Sequence, residues 1–171
     1  MKKGQDNFES ERLMLRGMED VDADEVVRWR SDPDVYKFFK NPHMITGDEH
    51  ISWFFNSYMT NQNRFEWICI EKKSLKKIGV IGIVLNSNNA DTAEVSYLLD
   101  DKEKHKGYAS EAVFKLMEYA ASKWSIKRFE AIIHNKNLPS INMVKRMGFE
   151  FEGSNEEFDI YVFVKINNSF Q

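Results

Sequence analysis

In Tyr97-Leu98-Leu99-Asp100-Asp101-Lys102-Glu103-Lys104-His105-Lys106-Gly107-Tyr108-Ala109-Ser110-Glu111-Ala112 the hydrophobic pattern passes from strand to helix, and the architecture turns on that change. An apolar strand runs into a short basic loop, and a helix begins where the residues become small. The first N–H groups of a helix have no internal partners, and its dipole places positive potential there. Gly107 and Ala109 are small enough for a phosphate to approach the backbone, while Lys104, His105 and Lys106 add charge. These are the ingredients of a diphosphate site that includes Tyr108 and Ser110. The same residues also read as an ordinary helix start with solvated lysines. Neither the P-loop nor the dinucleotide-binding glycine pattern is present.

Upstream, Glu11–Met18 alternates as a first strand, and Asp20–Arg30 follows as a helix with acidic early turns. Ser31-Asp32-Pro33-Asp34 breaks that helix and starts a short one through Phe39. Thr46-Gly47-Asp48-Glu49 is a capping box opening a helix to about Met59. Phe65–Glu71, Lys77–Asn86 and Thr92–Asp100 read as strands, the last two paired antiparallel across a polar turn. Downstream come a helix from Gly107, a strand at Arg128–His134 and a helix from Asn137 to Gly148. Phe149–Gly153 and Phe158–Ile166 form a closing hairpin. The order β-α-α-β-β-β-α-β-α-β-β describes an α/β or α+β sheet with helices packed on its faces.

With 171 residues and no linker or repeat, the chain reads as one domain, 1–171, with 1–7 expected to be flexible. The net charge of −3 argues against nucleic acid as a partner. Apolar stretches are strand-sized, so no membrane partner is expected, and residues 1–7 lack a signal-peptide core. A single cysteine, Cys69, excludes an internal disulfide and points to a reducing cytoplasm. His43, His50, His105 and His134 show no metal-ligand spacing with it, so no metal is expected. Thirteen Phe, four Trp and six Tyr are more rings than a core of this size needs, which suggests a lined groove and leaves room for a homodimer.

At Lys104, Gly107 and Ala109 the loop resembles the Gln/Arg-x-x-Gly-x-Gly/Ala signature of the GNAT acetyltransferase superfamily, with lysine at the first position. Gly107–Ala112 is similar to the "GYATEA" form of the branch holding ribosomal-protein N-terminal (RimJ/RimL-like) and spermidine acetyltransferases. Glu9–Arg16 resembles that branch's "TERLxLR" strand, and Asn137-x-x-Ser140 with Met147–Gly153 its "NxxS…LGFxxEG" segment. The four motifs are collinear from about Phe8 to Gly153. The resemblance implies a mixed, mostly antiparallel splayed sheet of about seven strands with about four helices, and acetyl-CoA as co-substrate in the opening. Leu98 and Leu99 would then pair with the pantetheine arm, the amides of 104–110 would hold the diphosphate, and Asn137 would contact the cofactor or cap its helix.

Acetyl transfer needs a neutral amine, and alkyl amines are ammonium ions at neutral pH, so a general base is required. Glu94, on the strand leading to the loop, is the candidate, and a solvated strand carboxylate is its bland alternative. The family's usual tyrosine acid, four residues before the Gly-Phe pair, is here Val144. Ser140 is the candidate hydroxyl, with Tyr97 and Tyr108 behind it. For the acceptor, Trp29–Val35 resembles the "WRNDPxV" segment of enzymes that acetylate nucleotide-linked amino sugars, and His50-x-x-Trp53 their "EEHxxW/F" helix. Trp29, Phe38, Phe39 and Trp53 could stack on a sugar or base and Arg30 could hold a phosphate or carboxylate. The tryptophans read equally well as core residues. Polyamine, aminoglycoside and protein N-terminus stay open as acceptors. A non-catalytic acyl-CoA-binding regulatory domain is the rival class.

Overall fold

The computed structural model describes residues 2–165. One eight-stranded sheet has the order β1-β2-β3-β4-β5-β6-β8-β7. Its strands are β1 (Phe8–Glu9), β2 (Leu13–Gly17), β3 (Arg64–Glu71), β4 (Lys77–Leu85), β5 (Thr92–Leu99), β6 (Arg128–His134), β7 (Glu150–Ser154) and β8 (Phe158–Val164). All neighbours pair antiparallel except β5 and β6. Five α-helices accompany them: α1 (Ala23–Arg30), α2 (Pro33–Tyr36), α3 (Gly47–Trp53), α4 (Tyr108–Trp124) and α5 (Leu138–Arg146).

The eighth strand is β1, a two-residue pairing too short to leave a periodic pattern. The fifth helix is α2, shorter than expected, capped by Asp32, whose carboxylate accepts from the Asp34 amide at 2.8 Å. The Thr46–Glu49 capping box forms as read, but α3 ends at Trp53 and continues as one π-helical turn, Phe54–Tyr58. Ile166, assigned above to the last strand, lies outside the described residues. Lys2 and Gln5, within the segment expected to be flexible, pack near the start of β3. The Lys2 ammonium donates to the carbonyls of Tyr58, Asn61 and Arg64, and Gln5 is buried beneath Tyr58.

Strand alternation sends side chains to two cores. Ala93, Val95 and Leu99 of β5 join Leu13, Trp67 and Ile81 against α4 and α5, where Leu116, Met117, Ile141 and Val144 are buried. On the opposite face Ile68 and Val80 pack with Val26 and Trp29 of α1 and with Phe54 and Tyr58, with Leu98 at the edge. Cys69 lies wholly inside the first core, and burial pushes its thiol pKa up, as expected of an inert cysteine. Among the described residues no helix is long and apolar enough to cross a membrane.

Asp22 ties α1 to the sheet. Fully buried, it accepts from Arg16 at 2.6 Å, Lys77 at 2.8 Å and the Glu19 amide at 2.9 Å. Burial alone would raise its pKa, but these three partners outweigh that and hold it below the usual carboxylate range. Asp100 does the same at the end of β5, accepting from Arg28 at 2.8 Å and the Trp29 indole at 3.1 Å.

Candidate active site

The β5–β6 pair is where the sheet opens. Register runs Thr92↔Arg128, Ala93↔Phe129, Glu94↔Glu130 and stops there. β4 goes on pairing with β5 as far as Leu99, and β8 with β6 as far as His134. Residues Val95–Leu99 therefore keep an edge facing the gap with no strand on it, the arrangement that backbone-to-ligand pairing requires.

The open edge leads into the basic loop. Among the described residues, the amide of Lys104 donates to Asp101 and that of Glu111 to Gly107, while the amides of residues 105–110 have no acceptor. His105 and Gly107 both take positive φ, 62° and 79°. Gly107 meets this without strain and turns the chain into α4. The lysines are less free than their sequence suggests: Lys104 pairs with Asp101 at 2.5 Å and Lys106 with Glu103 at 2.7 Å.

The loop is fastened from a distance. Glu111 accepts from Ser10 Oγ at 2.6 Å and from the Arg12 amide and Nε at 2.8 and 2.6 Å. Arg12 also donates to the Lys106 carbonyl at 3.0 Å and lies over the Tyr108 ring. Two motifs about a hundred residues apart are thus one latch. Burial works against the Glu111 charge, but Ser10 and Arg12 overcome it and keep its pKa low.

Across the gap, Asn137 caps α5, its side chain accepting from the Ser140 amide at 3.4 Å. Val144 is fully buried, so the family's usual tyrosine position supplies no hydroxyl. The hydroxyl that reaches this region is that of Tyr97, next to Ser140. Burial pushes its pKa up to about 12, with Ser140 drawing it the other way.

On the α1–α3 face lies a cavity of about 170 Å³, lined by Arg30, Phe39, Trp53, Arg64, Glu66 and Ser96, among others. Glu66 is the residue that sequence reasoning missed. It stands mid-strand in β3, where alternation gave no hint that a charge is buried. Register carries the signal: Glu66 faces Gly82 on β4, and Gly82 faces Ser96 on β5. A Cβ at position 82 would lie 2.4 Å from Glu66 Oε2 and 2.8 Å from Ser96 Oγ. Gly82 is therefore the floor that lets this carboxylate reach β5. Glu66 Oε1 accepts from Arg64 Nε at 2.8 Å and lies 2.7 Å from Arg64 Nη2, leaving Oε2 towards Ser96. Burial raises the Glu66 pKa more than Arg64 lowers it.

The expected acceptor residues divide. Trp53, Phe39 and Arg30 line the cavity, while the Phe38 ring packs edge-on to His134 at 5.7 Å. Trp29 is a core residue, 3% exposed, with its indole N–H spent on Asp100. Ser31 donates to the Ile45 carbonyl at 3.0 Å and Asp32 caps α2. Of the polar side chains in the Trp29–Pro33 segment only that of Arg30 makes no hydrogen bond or ion pair among the described residues; its guanidinium lies 5.3 Å from the Phe39 ring centre. Glu94 stands where β5 and β6 part, on the Ser96 side of the strand but outside the cavity lining.

The sequence pattern of the family described as "Acetyltransferase (GNAT) domain" matches residues 12–150. The chain belongs to the GNAT acetyltransferase family. The uncharacterized N-acetyltransferase p20 of Bacillus licheniformis is 30% identical over 164 residues, 90% of this chain and 92% of that protein. Among solved structures, RimL, a ribosomal L7/L12 alpha-N-protein acetyltransferase in complex with coenzyme A, superposes with a TM-score of 0.80. It is 17% identical, over 94% of this chain and 98% of that one. Spermidine N-acetyltransferase from Vibrio cholerae, in complex with CoA and spermine, gives 0.78 at 15% identity over 90% and 96%. The chain is therefore an acetyltransferase with a GNAT fold, and the family's chemistry is acyl transfer to an amine.

Proposed function

We propose that this enzyme transfers the acetyl group of acetyl-CoA to a primary amine by direct attack, both substrates being bound together. The observation that carries this reading is the unpaired edge of Val95–Leu99 running directly into the acceptor-free amides of residues 105–110. A pantetheine arm can pair along that edge at Leu98 and Leu99, and the amides from His105 to Ser110 at the start of α4 suit a diphosphate. Lys104 and Lys106 flank these amides, each already paired with an acidic neighbour. Acetyl-CoA supplies an activated thioester, whose C–S bond breaks as the C–N bond forms.

The protein's own work is to remove a proton from the incoming ammonium and return one to the departing thiolate. Glu66 is placed for the first task, with Oε2 open to the cavity beside Ser96 and a raised pKa that makes it a stronger base than a surface carboxylate. Glu94 is the alternative base, on the same face of β5. For the second, the Tyr97 hydroxyl beside Ser140 stands in for the tyrosine that Val144 displaces. Asn137 is accounted for as the cap that orients Ser140.

The test is CoA thiol release with wild type, Glu66→Gln and Glu94→Gln over a panel of amines. Turnover lost in Glu66→Gln and kept in Glu94→Gln is expected, and the reverse makes Glu94 the base. Acetyl-CoA binding with no amine turned over would leave the rival reading, an acyl-CoA-binding regulatory domain.

A further inference from the structure

We infer that the cavity between α1, α3 and the middle of β3–β5 holds an anionic group of the acceptor, so that the amine acetylated carries a carboxylate or phosphate only a few bonds from its nitrogen. This rests on the reading that acetyl transfer takes place at that cavity.

The charges lining it are two guanidiniums, Arg30 and Arg64, and one carboxylate, Glu66. Arg64 is committed, since Nε and Nη2 both approach Glu66 Oε1 and its guanidinium lies 5.4 Å from the Trp53 ring centre. Arg30 is not: it lines the cavity beside Phe39 and makes no hydrogen bond or ion pair with any described residue. Half-buried and steadied only at a distance by the Glu66 charge, its guanidinium keeps a planar fork of unspent donors matched to carboxylate and phosphate. The surrounding groups deepen the imbalance. Lys2 behind β3 is a third cation within electrostatic reach of Glu66. His50, buried beside Trp53 with neither ring nitrogen bonded, has its pKa lowered by burial and by the Arg30 charge, against the pull of Asp22. Whether Glu66 is ionised or not, the cavity carries excess positive charge.

The two ends have different tasks. Glu66 Oε2, over Gly82 and beside Ser96, receives the ammonium; Arg30, at the end of α1, receives the anion. Both ends line one small cavity of about 170 Å³, so the two functions sit close together on one small molecule or one terminus of a larger one. A polyamine or aminoglycoside would bring a second ammonium towards Arg30.

The experiment uses the wild-type protein with acetyl-CoA and four matched acceptors: β-alanine, phosphoethanolamine, propylamine and 1,3-diaminopropane. The expected result is that β-alanine or phosphoethanolamine exceeds both the others in kcat/KM by about tenfold to a hundredfold, the range of a charged hydrogen bond. Which of the two leads tells carboxylate from phosphate. Arg30→Gln should bring the ratio of anionic to neutral amine towards one. Equal or better turnover of the diamine overturns the inference, as does an Arg30→Gln enzyme that loses activity equally towards all four. Should that variant not fold, the wild-type panel alone decides. If no amine is turned over, thermal stabilisation of the CoA-loaded protein is read instead. Stabilisation by the anionic amines and not by the diamine keeps the anion site at Arg30 while sinking the transfer reading and the claim about the amine acetylated; the opposite or no difference sinks the anion site as well.

Discussion

On the donor side one continuous run, Val95–Ser110, supplies both the open strand edge and the free amides. On the acceptor side Arg30, Trp53, Glu66, Gly82 and Ser96 arrive from five elements, α1, α3, β3, β4 and β5. The first half recognises its ligand with backbone, whose geometry a short local pattern can encode. The second recognises with side chains whose proximity exists only after the strands pair in register. Variants should separate the two halves: changes in one leave the other's affinity in place.

The largest effect is expected at Gly82→Val. Its Cβ would displace the Glu66 carboxylate, and turnover should fall about a thousandfold as proton removal and amine positioning fail together. Affinity for acetyl-CoA by titration calorimetry should stay close to wild type. Equal loss of both would merge the two halves.

Next comes Glu66→Gln, with kcat lower by about a hundredfold. Stability should behave oppositely to activity. A carboxyl whose folded pKa is raised holds more protons in the native state, so stability falls as pH rises from the ordinary carboxylate range through the raised pKa. The glutamine variant should lose that decline and melt no lower than wild type near neutral pH. A lower melting temperature there would make Glu66 a structural residue.

Gly107→Val addresses the donor half. An L side chain at φ 79° costs about 1–2 kcal/mol, and the loop would shift to relieve it. The KM for acetyl-CoA should rise about tenfold, with the amine preference unchanged.

The smallest effect is expected at the latch. Glu111→Gln should cost about 1 kcal/mol in denaturant unfolding at neutral pH. Because the Glu111 pKa is depressed in the folded protein, its contribution is present above the usual carboxylate range and is lost as pH falls through the folded value. The gap between variant and wild type should therefore close in acid.

Legibility in the sequence follows the same division. Thr46–Glu49, Gly107 and Asn137 announced their helix starts because caps are local. The β4–β5 hairpin was legible from a polar turn between two branched runs. Phe8–Glu9 was missed because two residues carry no period, and the packed course of Lys2 and Gln5 was missed because their partners lie near residue 60. Glu66 was hidden by the alternation of its strand, and only its pairing with Gly82, which in turn faces Ser96 on the next strand, reveals a site. Trp29 and Arg30 show the limit from the other side. Adjacent in one motif, they part company in space, one spent on Asp100 and the other left open to the cavity.

The most direct test of the donor site is hydrogen exchange of the backbone amides with and without coenzyme A. Slowing concentrated at residues 105–110 and along Val95–Leu99 is predicted. Protection by coenzyme A that leaves these amides exchanging as before, and falls elsewhere, would contradict the account.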